Sequence, residues 1–198
     1  VTVCGQNSTF GGVSDEFCLI YLMDLKGNVL NNDDPIRGNY ASFSPNGKLA
    51  YITPAEYVSG AYSLYKSIRV ITNPLDGPSK AEIVYENGKI NDVVEWSSDG
   101  NSVVFMEQGG ATLDWGWAGG YAQSITSLNL STGRAKELLL ADHGQVYPNV
   151  SWSNDGNFII YSIKLPTDRV DWVDIQVWWL EVATGKTGPI TNTLDVFG

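Results

Sequence analysis

Three observations predict an all-β fold built from a repeated four-stranded unit. A hairpin-turn spelling recurs at nearly constant spacing, a second glycine turn interleaves with it, and the composition is that of a turn-rich β-protein. The chain has 198 residues, 43% of them hydrophobic and 17% charged, with seven Trp, ten Tyr and 21 Gly against two Met and one His. That is enough apolar material to bury a core within one all-β domain.

The first signal is carried by ASFSPNGKLAYI from Ala41, VEWSSDGNSVVF from Val94 and VSWSNDGNFIIY from Val150. Each reads aromatic, Ser, any residue, Asn or Asp, Gly, and ends in an apolar run. Gly47, Gly100 and Gly156 are spaced 53 and then 56 residues apart. The second signal is YLMDLKG, VITNPLDG, LNLSTG and LEVATG, whose glycines Gly27, Gly77, Gly133 and Gly185 lie 50, 56 and 52 apart. Asn or Asp bonds its own backbone and Gly takes the positive φ that closes a hairpin, so both signals mark turns between strands. Two independent turn signals on one period define a repeat.

The elements follow in order, with the strands of each unit lettered A to D. Residues 1–4 match strand B and 19–25 strand C of a first unit that lacks strand A. In the next unit A ends at Phe43, B covers 49–52 and C ends before Gly77. The third has A at 94–96, B at 103–106 and C ending before Gly133. Residues 135–142 are the one stretch that tempts a helix, yet they fall where strand D is due. In the last, A covers 149–152, B 158–163, C 174–180 and D lies near 187–191. The B runs are β-branched and aromatic and apolar on both faces, as expected of strands sandwiched between sheets. Phe43, Trp96 and Trp152 share one repeat position and are expected in the inter-sheet core. Four-stranded units of this length arranged radially make a β-propeller, here of about four blades with incomplete terminal strands. The units are 1–35, 36–88, 89–143 and 144–193, a single propeller domain, with 194–198 as a closing or donated strand.

This spelling, an aromatic-Ser-x-Asp/Asn-Gly turn, an apolar run, then an Ile/Val-rich strand ending in Thr-Gly, resembles the TolB-type repeat. That repeat builds TolB and the propeller domains of prolyl-oligopeptidase-like proteins. The resemblance covers the chain from Leu19 to Thr193. It implies a secreted or periplasmic propeller that binds proteins or gates another domain. The proline of the family's turn stands here only at Pro45, and such propellers usually have six or more blades.

The ends are out of phase: one lacks strand A and the other supplies only strand A. Leu194, Asp195, Val196 and Phe197 are therefore expected to pair with Val1, Thr2, Val3 and Cys4. The pairing either closes a four-bladed ring within one chain or joins two copies by strand addition, which propagates as a filament. A third alternative is that the chain is a fragment of a longer propeller. Cys4 and Cys18 form an even pair, expected as a disulfide tying strand B to strand C in an oxidising compartment. Val1 stands where Met would begin a gene product, so a targeting peptide was removed or a piece was studied.

The formal net charge of -10 speaks against a nucleic-acid surface, which needs clustered cations. No apolar run is long enough to span a membrane. His143 is the only histidine and no Gly-x-Ser-x-Gly elbow exists, so no nucleophile–base pair is built. No catalytic residue, metal site or cofactor is therefore expected. Residues 31–34 bring four oxygen-bearing side chains together without the Asp-x-Asp-x-Asp-Gly frame of a calcium loop. Trp115 and Trp117, Trp172, and Tyr57 and Tyr62 fall in three B–C loops at one repeat position and would share a rim. These observations point to a non-enzymatic extracellular module for protein contact, with itself or another protein. The alternatives are an accessory propeller of a larger TolB-like or prolyl-oligopeptidase-like protein, and a carbohydrate-binding propeller using the aromatic rim.

Overall fold

A computed structural model describes residues 2–7, 15–53, 57–58, 61–62, 66–87, 90–112, 121–140, 145–165 and 174–191. The first blade is a three-stranded antiparallel sheet of β1 (Thr2–Asn7), β2 (Asp15–Ile20) and β3 (Ile36–Arg37). Then come β4 (Asn39–Phe43), β5 (Leu49–Thr53), a separate hairpin of β6 (Tyr57–Val58) and β7 (Ala61–Tyr62), and β8 (Lys66–Ile71) with β9 (Glu82–Asn87). The order β4-β5-β8-β9 makes the second blade. The third is β10 (Ile90–Trp96), β11 (Ser102–Thr112), β12 (Tyr121–Asn129) and β13 (Arg134–Leu140). The fourth is β14 (Gln145–Trp152), β15 (Phe158–Leu165), β16 (Asp174–Glu181) and β17 (Thr187–Pro189). Two single-turn 3-10 segments, Pro74–Asp76 and Pro78–Lys80, are the only helical residues among those described. The fold is all-β, with about four propeller blades, as the repeat predicts.

Local chemistry explains the repeat spelling. In the third blade the Ser97 hydroxyl donates to Asp99 Oδ1 at 2.6 Å and accepts from the Ser102 N–H at 3.0 Å. Asp99 Oδ1 also accepts from the Asn101 N–H at 3.0 Å, and Gly100 takes φ 68°. Ser153, Asp155, Gly156 and Asn157 repeat this arrangement in the fourth blade. The seven glycines picked out by the two turn signals are the seven with positive φ among the described residues. At such angles a side chain costs about 1–2 kcal/mol, so the turns keep glycine.

Two compact units divide the chain, Val1–Ile90 and Asn91–Gly198. In the first, Ile20 and Ile36 of the first blade pack with Leu49, Tyr51 and Ile71 of the second. In the second, Val104, Met106 and Ile125 of the third blade meet Val150, Ile159, Tyr161 and Leu180 of the fourth. Residues 103–106 of β11 are buried on both faces, the signature of a strand held between layers. The inner strands β4 and β14 each carry a register shift, between Asn39 and Ser42 and between Tyr147 and Val150. Tyr40 sits in the first of these bulges with φ 52°.

Two expectations need correction. Strand C of the first blade was expected over 19–25, but β2 ends at Ile20. The Asn31 carboxamide takes over there: its Oδ1 accepts from the Leu22 N–H at 2.7 Å and its Nδ2 donates to the Ile20 carbonyl at 3.1 Å. A side chain thus fills the place of a strand partner, and residues 24–28 turn back on themselves. This use of Asn31 also removes one oxygen from the loop considered for calcium. Finally, Phe43 does not lie in the core with its repeat equivalents. Trp96 is buried and Trp152 half-buried, whereas Phe43 is 58% exposed.

Candidate functional site

Two features stand out, both in the first unit: a sheet edge without a further partner among the described strands, and an apolar groove. β1 is the edge of its sheet, bonded to β2 alone among the described strands. In the other three blades that side of strand B is taken by a strand A, namely β4, β10 and β14. The backbone N–H and C=O groups along one side of β1 therefore form a template for a further strand. Within the β1–β2 ladder Cys4 lies directly opposite Cys18. Antiparallel partners have Cα atoms about 4.5–5.5 Å apart, inside the span a disulfide bridges. Cys18 is not a free thiol.

The groove has a volume of about 690 Å3 and runs between the C–D hairpin of the first blade and the turns of the second. Ile20 and Leu49 form its floor, and Met23, Leu30, Phe43 and Leu75 its walls. All four wall residues are exposed, Leu75 at 63%. The hairpin holding Met23 is braced by a Met23–Val29 bridge and by Asp24, which accepts from the N–H groups of Lys26 and Asn28 at 2.8 and 2.9 Å. These bonds, led by the Asn28 side chain, hold the Asp24 carboxyl below its ordinary range. The second wall is braced in the same way, by Asn73 Nδ2 donating to Asp76 at 2.8 Å. Apolar walls on rigid turns are suited to binding an apolar partner surface.

The groove was not expected from the repeat, because Phe43 shares its repeat position with the buried Trp96. A signal was there: Leu25 and Leu75 stand two places before Gly27 and Gly77, where the later turns have Ser131 and Ala183.

Other expected residues fall as follows. Tyr57 and Tyr62 are Cα partners in the β6–β7 hairpin. Trp115, Trp117, Trp172, His143 and the strand from Leu194 to Phe197 lie outside the described residues. Groups of three or more His, Cys, Asp or Glu side chains able to hold a metal do not occur among the described residues. No helix among them is long and apolar enough to cross a membrane. The shifted titrations belong to structure: Asp99 and Asp155 are lowered first by the Ser97 and Ser153 hydroxyls, and Tyr51 and Tyr161 are raised by burial.

No protein-family model matches the chain, and no curated protein matches its sequence. Solved structures do match. TolB from Acinetobacter baumannii aligns with a TM-score of 0.56 at 18% identity, covering 89% of this chain and 40% of TolB. Dipeptidyl peptidase 4 from Porphyromonas gingivalis aligns with a TM-score of 0.56 at 12% identity, over 96% of this chain and 30% of that one. The tricorn protease aligns with a TM-score of 0.54 at 16% identity, over 89% and 15%. The likeness shows the fold, a TolB-like β-propeller. The chain spans less than half the length of each of these proteins.

Proposed function

We propose that the chain is a non-enzymatic, extracellular or periplasmic propeller module whose work is protein contact, made by strand addition at the first blade. The open edge of β1 carries this reading. Among the described residues three blades have four strands in one order and the first has the last three of them, so one side of β1 has no partner among the described strands. Leu194, Asp195, Val196 and Phe197 are the proposed donor, because the repeat places a strand A there. Donation between copies is head-to-tail and propagates unless it closes a ring. Deleting residues 194–198 tests this. The expected result is a folded subunit that no longer assembles, read by electron microscopy and light scattering. A truncated chain that keeps the stability and the assembly state of the full one overturns the reading.

A disulfide between Cys4 and Cys18 is part of the proposal. Its support is the direct cross-strand register, and its role is to tie β1 to β2 in the first blade. Closing about 15 residues contributes roughly 3 kcal/mol in the chain-entropy model. Mass spectrometry of the unreduced protein is expected to find the two cysteines in one cross-linked peptide. Two alkylatable thiols on native material would remove both the staple and the oxidising compartment.

A second reading, an accessory propeller segment of a larger TolB-like or prolyl-oligopeptidase-like protein, is favoured by the 40% coverage of TolB. In that case the continuation of the chain supplies the partner of β1. Reading the gene past the codon for Gly198 separates the two, since the second requires another Ser-x-Asp-Gly repeat there.

A further inference from the structure

The four C–D turns of the molecule act as an internal control on one another. All close on a positive-φ glycine, Gly27, Gly77, Gly133 or Gly185. The residue two places earlier is Leu25 or Leu75 in the first unit and Ser131 or Ala183 in the second. The turns of the second unit close without a leucine, with Gly133 N–H on the Asn129 carbonyl and Gly185 N–H on the Glu181 carbonyl. Leu25 is fully exposed at the tip of its hairpin, and Leu75 stands in the groove wall with Met23, Leu30 and Phe43. A leucine left in water contributes almost nothing to folding, and such a cluster on one face marks a surface that is covered in use.

Charge says what covers it. Residues 1–90 hold nine acidic and seven basic side chains, whereas residues 91–198 hold 13 acidic and five basic. The net charge of -10 is thus split as -2 and -8. A basic partner is drawn to the second unit, and the apolar face lies on the nearly neutral one. A contact between first units brings together two bodies of net charge -2 rather than -8, so each meets little like charge on the other. Both signs adjoin the apolar residues in sequence: Asp24 and Lys26 flank Leu25, Lys48 precedes Leu49 and Asp76 follows Leu75. Leu25 is exposed two residues from Met23, which lines the groove, so one copy can offer both the leucine and the hollow that a twofold contact requires.

We propose that this face is a twofold contact between two copies of the chain, with Leu25 of each entering the groove walled by Met23, Leu30, Phe43 and Leu75 of the other. The contact is independent of strand addition at β1, which uses a different part of the first blade.

The test is sedimentation equilibrium of the full chain over a range of concentrations, beside two double variants. Leu25→Glu with Leu75→Glu is expected to raise the dissociation constant of the pair by about 100-fold or more, since burying each leucine is worth at least a factor of ten. Ser131→Glu with Ala183→Glu, at the same turn positions of the second unit, is expected to leave it unchanged. Leu25→Met with Leu75→Met keeps the apolar surface and is expected to retain association, which separates a lost contact from a lost fold. Equal association of the wild type and the glutamate variant overturns the proposal, as does a monomer at every concentration. If deleting residues 194–198 abolishes all association while the leucine variant keeps it, this contact fails and strand addition stands. The opposite pattern has the opposite meaning.

Discussion

The A–B turn of the second blade and those of the third and fourth close the same hairpin at two lengths. From Ser44 to Lys48 the backbone closes over four residues, with the Ser44 N–H on the Lys48 carbonyl at 2.8 Å. From Ser97 to Ser102, and from Ser153 to Phe158, it closes over five, each at 2.9 Å. The register agrees: Phe43 faces Leu49, whereas Trp152 faces Ile159. In every case the serine hydroxyl accepts the N–H that reopens the strand and donates to the Asn or Asp two places on. The longer loop holds one more amide, that of Asn101 or Asn157, and the aspartate carboxylate accepts it. Asp against Asn in the repeat thus follows loop length. A carboxylate stands where there is an extra donor to satisfy, and a neutral amide suffices where there is not.

The largest effect expected from this difference comes from the serines. Ser97 donates to a carboxylate and Ser44 to a carboxamide, and both are buried. Hydrogen bonds to charged groups contribute about 1.5–3 kcal/mol against about 0.5–1.5 kcal/mol for neutral ones. Ser97→Ala is therefore expected to destabilise more than Ser44→Ala, by a margin visible in urea unfolding. Equal losses would mean that the carboxylate adds nothing to the turn.

A smaller effect is expected from pH. Asp99 and Asp155 are lowered from 3.8 by the serine hydroxyls first and by the Asn101 and Asn157 N–H groups next. A carboxyl lowered in the folded state stabilises above its unfolded value and loses that contribution as pH falls through the folded one. The wild type should thus lose stability as pH drops through about 3.8 and below. Asp99→Asn with Asp155→Asn, which makes these turns resemble that of Asn46, should flatten that part of the acid limb and leave neutral pH little changed. Unfolding midpoints measured against pH with an unchanged slope would show that the carboxylates are not the titrating groups.

How much was readable in advance differs between these features. Serine, Asp or Asn, and Gly act within six residues of one another, so the turns and their strands could be placed from the spelling alone. That β1 and β2 correspond to strands B and C was legible for the same reason, since phase along a repeat is a local count. Asn31 was not legible as a stand-in for a strand, because its partners at Ile20 and Leu22 lie 11 and nine residues away. Nor was the exposure of Phe43, which shares its spelling with the buried Trp96.

The sequence by itself determined the all-β class, the period, the order of strands and the seven turn glycines, because each rests on backbone chemistry between near neighbours. Only the tertiary structure decided which apolar residues are covered. Burial is set by whatever packs above a side chain, and in the first unit the turns stand back from Phe43 and leave a groove. That is why two positions with one spelling, Phe43 and Trp96, became a wall open to solvent and a piece of core.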